Sequence, residues 1–215
     1  MPLPPSKNIV FVHGSGQSHL SFNFLELWLP EHYSMCFNYS TQENPDDIIK
    51  RFKMLLDLNF NGEPIHIIAH SYGCLIASLI TKEYDNVESL IALSSPWGGS
   101  RAAKWLNMVF RESKLFATTK PGSPLLKAIA SLKLDFPITN IVSTGTKSSA
   151  NALAGLGATP NDGLLTLETQ RAVPKGFVNC DTIDLEVSHN ELLMSMDVVE
   201  LIKEKIFDGT TNNTE

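Results

Sequence analysis

The sequence predicts an α/β fold in which about six mostly parallel strands carry helices on both faces. Two observations support this prediction. Short apolar runs rich in β-branched residues alternate with segments of helical periodicity, which is typical of a parallel sheet covered by helices. The 215 residues, 43% of them hydrophobic, suit a single domain over 1–215 with one substantial core.

The order of the predicted elements follows from these patterns. Strands are expected near 8–13, 33–39, 65–70, 89–94, 138–143 and 178–187. Helices are expected near 21–29, 45–58, 72–84 and 190–206. Because only residues 1–7 precede the first strand, we expect a minimal sheet with no additional strands before it.

The segment Ala69-His70-Ser71-Tyr72-Gly73 is the most informative local pattern. It follows the apolar run 65–68 and precedes a helical pattern, so Ser71 is expected on a tight turn between a strand and a helix. Such a turn presents a serine as a nucleophile and aims the next backbone N–H at a developing oxyanion. The alternative is an ordinary turn, since A-x-S-x-G also occurs by chance.

The loop after the first strand supports the nucleophile interpretation. It reads His13-Gly14-Ser15-Gly16, and its glycines allow the backbone to approach a ligand closely. The Ser15 backbone N–H would pair with that of Tyr72 as an oxyanion hole. The alternative is a glycine-rich turn with no catalytic part. A dinucleotide-binding G-x-G-x-x-G is excluded because the third glycine is absent.

A histidine follows the last predicted strand. His189 comes just before the final helix and lies off that helix's apolar face, where a general base could reach Ser71. A solvent-facing or capping histidine is the alternative.

The acid predicted to orient His189 is Asp162, on the turn-forming segment Asn161-Asp162-Gly163. The chain order Ser71, Asp162, His189 is the one that a serine on such a strand-to-helix turn requires. Four other carboxylates are less well placed, because one precedes a strand and the others lie within the last one. They are Asp135, Asp181, Asp184 and Glu186.

Taken together, these segments resemble a small α/β-hydrolase of the lipase and esterase kind. Residues 69–73, 12–16 and 21–24 are similar to the elbow and oxyanion loop of small Bacillus lipases. Residues 161–164 resemble the N-D-G-L-V segment that carries the catalytic aspartate of true bacterial lipases. Residues 95–99 resemble the A-P-W-G-G segment of lecithin:cholesterol acyltransferase relatives. The resemblance implies a minimal α/β-hydrolase fold.

Residues 97–136 are long for a connection between two strands. They are either a crossover helix packed on the sheet or a small helical cap over Ser71. As a cap, the segment would line a substrate pocket, and short to medium acyl esters would be preferred over long insoluble triglycerides. The substrate-binding residues would then be Trp97, Trp105, Leu106 and Phe110.

Composition and charge argue against several classes of partner and cofactor. The net charge of −6 and the pI near 5.5 argue against a nucleic-acid partner. No apolar run reaches the roughly 18 residues of a membrane span, so we expect a soluble, cytoplasmic protein unless a leader has been removed. Cys36, Cys74 and Cys180 are expected to be free thiols without metal-ligand spacing, and no metal or cofactor is expected.

These observations predict a serine hydrolase that cleaves carboxylic esters through a Ser71-Asp162-His189 triad and an acyl-enzyme. Its partner would be a small-molecule ester or a lipid, and transient contact with a lipid surface is compatible with this. Two alternatives are an acyltransferase with the same triad and a non-catalytic binding protein on a hydrolase scaffold.

Overall fold

The computed structural model describes residues 7–40, 42–99, 118–145 and 159–208, and a six-stranded sheet organises these ranges. The strand order is β2-β1-β3-β4-β5-β6, and every neighbouring pair is parallel. The strands are β1 Lys7–Val12, β2 His32–Phe37, β3 Ile65–His70, β4 Val87–Leu93, β5 Ile138–Ser143 and β6 Cys180–Leu185. The prediction of about six mostly parallel strands is confirmed, with ends shifted by no more than two residues.

Helices cover both faces of this sheet. In the described ranges, the α-helices are α1 Asn23–Trp28, α2 Pro45–Phe60, α3 Tyr72–Ile80, α4 Pro124–Ala130, α5 Leu167–Arg171 and α6 Met196–Ile202. Two 3-10 turns, His19–Phe22 and Glu191–Met194, precede α1 and α6, and a π-helical turn, Lys203–Phe207, follows α6. None of the described helices is long and apolar enough to cross a lipid bilayer.

Two apolar layers hold the sheet between its helices. Successive residues of a strand point to opposite faces, so Val10 and Val12 pack in one layer, while Ile9 and Phe11 pack in the other. The first layer includes the buried faces of α2 and α3, and the second includes that of α6. The central strands are therefore apolar on both sides, as buried parallel strands must be.

Several helix ends differ from the sequence prediction. The helix expected over 190–206 is interrupted at Ser195, whose extended backbone (ψ 128°) separates the 3-10 turn Glu191–Met194 from α6. The helix expected over 72–84 ends at Ile80. The short helix α5 was not predicted because five residues are too few for apolar periodicity to appear.

The segment 97–136 is described at its two ends. Its helix α4 is capped by the Ser123 side chain, which accepts a hydrogen bond from Leu126 N–H, and buries three side chains in the same apolar layer as α3. These side chains are Leu125, Leu126 and Ile129. This part of the segment has the packing of a crossover. Residues 100–117 lie outside the described ranges, so the cap stays a prediction.

Candidate active site

A cavity of about 330 Å³ opens where the parallel strands end. Residues that follow β1, β3, β4, β5 and β6 meet here, at the carboxyl edge of the sheet, where ligands of open α/β sheets bind. The lining residues are Gly14, Ser15, Gly16, Gln17, His70, Ser71, Tyr72, Pro96, Thr119, Leu164, Leu165, His189 and Asn190.

Ser71 occupies a strained turn between β3 and α3. Its backbone has φ 53° and ψ −125°, a positive φ that a residue other than glycine adopts only when its surroundings enforce it. Two hydrogen bonds enforce it, from Ser71 N–H to the Leu93 carbonyl (2.8 Å) and from Cys74 N–H to the Ser71 carbonyl (3.0 Å). Ser71 is half-buried and borders the cavity, as a presented nucleophile must.

The close approach of α3 to β1 explains the glycine after this turn. A Cβ atom on Gly73 would lie 2.3 Å from the Val12 carbonyl oxygen and 2.5 Å from that of His13. Both oxygens belong to the backbone and cannot swing away, so position 73 accepts no side chain.

We expect Gly73→Ala to lower the free energy of unfolding by about 3 kcal/mol or more, because the new methyl group forces β1 and α3 apart. Urea unfolding measures this loss. Gly62→Ala is the matched control: Gly62 has φ 82°, but the nearest atom to its added Cβ is 3.7 Å away, so only backbone strain of about 1–2 kcal/mol is expected. Equal losses in the two variants would contradict the close packing described here.

Ser15 and Tyr72, whose backbone amides are the predicted oxyanion donors, both line the cavity. Tyr72 is the first residue of α3, so its N–H has no partner within the helix. Ser15 lies in the loop after β1, and neither N–H donates to another group within the described ranges. The Tyr72 side chain is buried in the core, and its hydroxyl lies 3.3 Å from Thr118 Oγ1. The two amides are thus available to a ligand oxygen.

His189 also lines the cavity and forms a buried pair with Asp162. Their side chains meet at 2.7 Å between His189 Nδ1 and Asp162 Oδ2, and His189 N–H donates to the Asp162 carbonyl at 3.0 Å. His189 and Asp162 are 5% and 1% exposed. This double link fixes the ring's orientation and directs its Nε2 away from the carboxylate.

The carboxylate of Asp162 accepts several further hydrogen bonds. Its Oδ1 accepts from the N–H groups of Leu164 (2.9 Å) and Leu165 (2.7 Å), which the turn at Gly163 (φ 101°) brings within reach. Its Oδ2 accepts from hydroxyl groups and a carboxamide at 2.5–3.1 Å. These donors are Ser94 Oγ, Ser143 Oγ and Gln170 Nε2.

These contacts decide the charge of Asp162. Burial by itself raises the pKa of the carboxyl, but the positive potential of His189 and the hydrogen bonds from His189, Ser143 and Ser94 outweigh burial and lower the pKa below its ordinary range. The group is therefore an anion at neutral pH, ready to stabilise a charged imidazole.

Ser94, Ser143 and Gln170 were not identified from the sequence. Ser94 follows β4 with φ 48°, Ser143 ends β5 and Gln170 lies in α5. A signal existed for the two serines: small polar residues at the carboxyl ends of neighbouring parallel strands meet at one edge of the sheet. Ser94 also lies 2.8 Å from His189 Nδ1, so it touches both members of the pair.

Ser71 and His189 border the same cavity. Within the described ranges, Ser71 Oγ makes no hydrogen bond to the His189 ring. Such a contact is often long in a protein without substrate and shortens when substrate binds. The cavity thus brings the predicted nucleophile and base to one site.

The four rival carboxylates occupy different surroundings. Asp135, Asp181, Asp184 and Glu186 are all exposed, and Asp184 pairs with Arg171 at the surface. In the described part of the chain, the carboxylate that contacts His189 is that of Asp162.

One of the four predicted substrate-binding residues, Trp97, lies within the described ranges. Trp97 is buried away from the cavity, where its Nε1 donates to Asn140 Oδ1 at 2.9 Å and its ring contacts Phe177 edge-on. The structure thus gives Trp97 a packing position, and its neighbour Pro96 borders the cavity instead. The other three lie outside the described ranges: Trp105, Leu106 and Phe110.

Comparison with known proteins agrees with this architecture. Residues 9–174 match the alpha/beta hydrolase family. No curated protein sequence matches the chain significantly. Among solved structures, the mature lipase BlEst2 of Bacillus licheniformis superposes with a TM-score of 0.74 at 15% identity, covering 95% of this chain and 94% of that one.

Two further structures are similar. A putative lipase of Acinetobacter baumannii AYE has a TM-score of 0.66 at 14% identity and covers 98% of this chain and 86% of its own. The type II thioesterase BorB of the borrelidin biosynthetic cluster has a TM-score of 0.66 at 14% identity, with 94% and 92% covered. At these identities the similarity shows the fold alone. The family match spans most of the chain, and the chain therefore belongs to the alpha/beta hydrolase family.

Proposed function

We propose that this chain is a serine hydrolase that cleaves carboxylic esters with Ser71 as nucleophile, His189 as general base and Asp162 as the acid that orients it. The observation that carries the proposal is the buried Asp162–His189 pair, joined at 2.7 Å, on the wall of the cavity into which the strained turn presents Ser71. A histidine–aspartate pair that only stabilised the fold would not require a serine on a strained turn beside the same cavity.

The proposed reaction uses these groups in sequence. His189 Nε2 takes the proton of Ser71 Oγ as the oxygen attacks the ester carbonyl, and Asp162 stabilises the imidazolium. The N–H groups of Ser15 and Tyr72 bind the oxyanion, each worth about 3 kcal/mol in enzymes of this kind. His189 then protonates the leaving alcohol, and water releases the acid from the acyl-enzyme by the same steps.

The cavity supports a preference for small substrates. Its volume of about 330 Å³ is at the lower end for ligand sites, roughly eleven times the ~30 Å³ that one water molecule takes in the liquid. Pro96, Leu164 and Leu165 supply apolar wall beside Ser71. We expect short to medium acyl chains to be hydrolysed faster than long ones.

A panel of p-nitrophenyl esters from acetate to palmitate, together with labelling by a fluorophosphonate probe, tests this function. We expect one labelled serine and the highest kcat/KM among the shorter esters. Product analysis with an added alcohol separates hydrolysis from acyl transfer, since a transferase forms a new ester. If the protein neither hydrolyses these esters nor reacts with the probe, the non-catalytic alternative gains support.

Ser94→Ala should lower kcat about tenfold or more and leave KM nearly unchanged. Its hydroxyl donates to Asp162 Oδ2 and presents a lone pair to His189 Nδ1, and hydrogen bonds to charged groups are worth ~1.5–3 kcal/mol. Steady-state kinetics with the best ester of the panel measures this effect.

Ser143→Ala is the matched control for Ser94. Ser143 Oγ donates to the same carboxylate oxygen at 2.6 Å and, like Ser94, is fully buried, but within the described ranges it makes no contact with His189. A smaller loss of kcat is therefore expected. A Ser143→Ala loss as large as that of Ser94→Ala would mean that contact with the carboxylate alone determines the effect.

A further inference from the structure

A chain of polar contacts lies beside the proposed triad and has no part in the reaction above. The carboxamide oxygen of Gln17 accepts a hydrogen bond from Gly14 N–H (2.9 Å) and lies 2.9 Å from His70 Nδ1. On the far side of the same ring, His70 Nε2 lies 3.0 Å from the His189 carbonyl oxygen. Gln17 Nε2 donates to Asn190 Oδ1 at 3.2 Å.

These contacts join three separate segments of the chain. Gln17 and Gly14 belong to the loop after β1, His70 ends β3, and His189 and Asn190 belong to the loop after β6. The first loop carries the proposed oxyanion donor, the Ser15 amide next to Gly14. The last carries the proposed base. The link therefore spans the two halves of the catalytic machinery.

His70 is the centre of this link and is completely buried. Burial and the nearby His189 lower the pKa of His70 to about 3, so its ring is neutral at neutral pH. A neutral imidazole has a single N–H and donates to one of its two oxygen neighbours at a time. At any time one of the two contacts is therefore a hydrogen bond, whereas Gln17 Nε2 donates to Asn190 Oδ1 and joins the two loops whichever ring nitrogen carries the proton.

The missing side chain of Gly14 makes room for the link. A Cβ atom at this position would lie 2.9 Å from Gln17 Oε1, 3.1 Å from His70 Nδ1 and 3.0 Å from the Ser71 Cβ atom. The first two contacts would push the carboxamide and the ring out of their hydrogen-bonded positions. The space beside Gly14 is thus taken up by Gln17, His70 and Ser71.

We propose that Gln17 and His70 are positioning residues that hold the loop with Ser15 against the loop with His189, so that oxyanion donor and base are aligned together. This inference rests on the proposed function. It gives each residue a role in the transition state, when the oxyanion and the imidazolium form at the same time, and little role in the binding of ground-state ester.

The test compares Gln17→Leu, His70→Phe and the double variant with the wild-type protein. Each single variant should lower kcat about tenfold or more while KM changes less than about threefold, because alignment matters chiefly in the transition state. The double variant should be no worse than the more affected single one, because the link is already broken. Thermal melting reports whether each variant is folded, and Gln17, which is only half-buried, provides the variant least sensitive to misfolding.

A short alkylboronic acid gives a second readout. Its boron binds Ser71 Oγ and becomes tetrahedral, so its affinity reports on the oxyanion amides and His189 together. We expect its Kd to rise by the same factor by which kcat falls. His66→Phe is the matched control, since His66 is also a buried histidine of β3, but it lies near the opposite end of the strand and contacts Ser89. It should leave both kcat and the boronic acid Kd unchanged.

Three outcomes would overturn the inference: wild-type kcat in Gln17→Leu, a loss confined to KM, or additive losses in the double variant. Failure of the proposed function looks different, because the wild-type protein itself would then neither turn over esters nor bind the boronic acid.

Discussion

Ser71→Ala is expected to lower kcat for ester hydrolysis by at least about a thousandfold while the fold stays intact. The hydroxyl is the atom that would attack the ester, and the hydrogen bonds that hold its strained turn come from backbone groups, which alanine keeps. Fluorophosphonate labelling should disappear together with turnover. Kinetics and mass spectrometry of the labelled protein measure the two effects.

Ser78→Ala provides the control in α3, the helix that follows Ser71. Ser78 is buried, and its hydroxyl donates to the Cys74 carbonyl at 2.8 Å, away from the cavity lining. Its loss should change turnover little. Retained activity in Ser71→Ala, or labelling of a different serine in the wild-type protein, would show that Ser71 is not the nucleophile.

The sheet could be predicted because its signal is local. Strands such as β3 are buried on both faces, so each reads as an unbroken apolar run, and the alternation with helices implies parallel pairing. Helix ends were less predictable. The interruption at Ser195 and the early end of α3 at Ile80 depend on tertiary packing, which apolar periodicity does not encode.

Ser71, Asp162 and His189 could be proposed together because each lies on a recognisable turn or loop at a strand end, and their chain order is restrictive. In the structure Ser71 and His189 border one cavity, and His189 contacts Asp162. The sequence indicated the cavity wall less well. Trp97 is predicted to contact substrate because it begins the segment that could form a cap, yet Asn140, 43 positions away, accepts a hydrogen bond from its indole N–H within the core.

The residues around the proposed triad were also hard to predict, because they are far apart in the sequence. Ser94 and Gln170 are 76 residues apart, and Gln17 meets Asn190 across 173 positions. A strand end marks Ser94, but no local pattern marks Gln170 or the contact of Gln17 with Asn190. The topology of the sheet brings them together, so they become visible only when strand order and register are known.

Asp162→Asn should lower kcat by about four orders of magnitude, the effect of this change in enzymes with a Ser-His-Asp triad. The four donors that converge on Asp162 Oδ2 explain why an amide cannot substitute. If the NH₂ group of the asparagine occupies the position of Oδ2, it faces the N–H and O–H donors that bind the carboxylate, and no hydrogen bond forms. If it turns, it meets the backbone N–H groups of Leu164 and Leu165. The imidazole tautomer is then no longer fixed.

The same substitution should change how stability depends on pH. Because the pKa of Asp162 is lowered in the folded protein, the carboxylate stabilises the fold above the ordinary value of ~3.9, and this contribution is lost as the pH falls below it. The asparagine variant lacks this contribution. Urea unfolding between pH 3 and pH 7 should therefore show a gap between the two proteins that is largest near neutral pH and shrinks in acid.

The exposed carboxylates provide control variants for the assignment of Asp162 as the acid that orients His189. Asp135→Asn, Asp184→Asn and Glu186→Gln each remove one negative charge at the surface, where solvent screens it, so kcat should stay within about twofold of wild type. A greater loss in any of them than in Asp162→Asn would move the acid to that residue. Equal and small losses in all four would mean that His189 works without a carboxylate partner, and the buried contact at 2.7 Å would then serve folding alone.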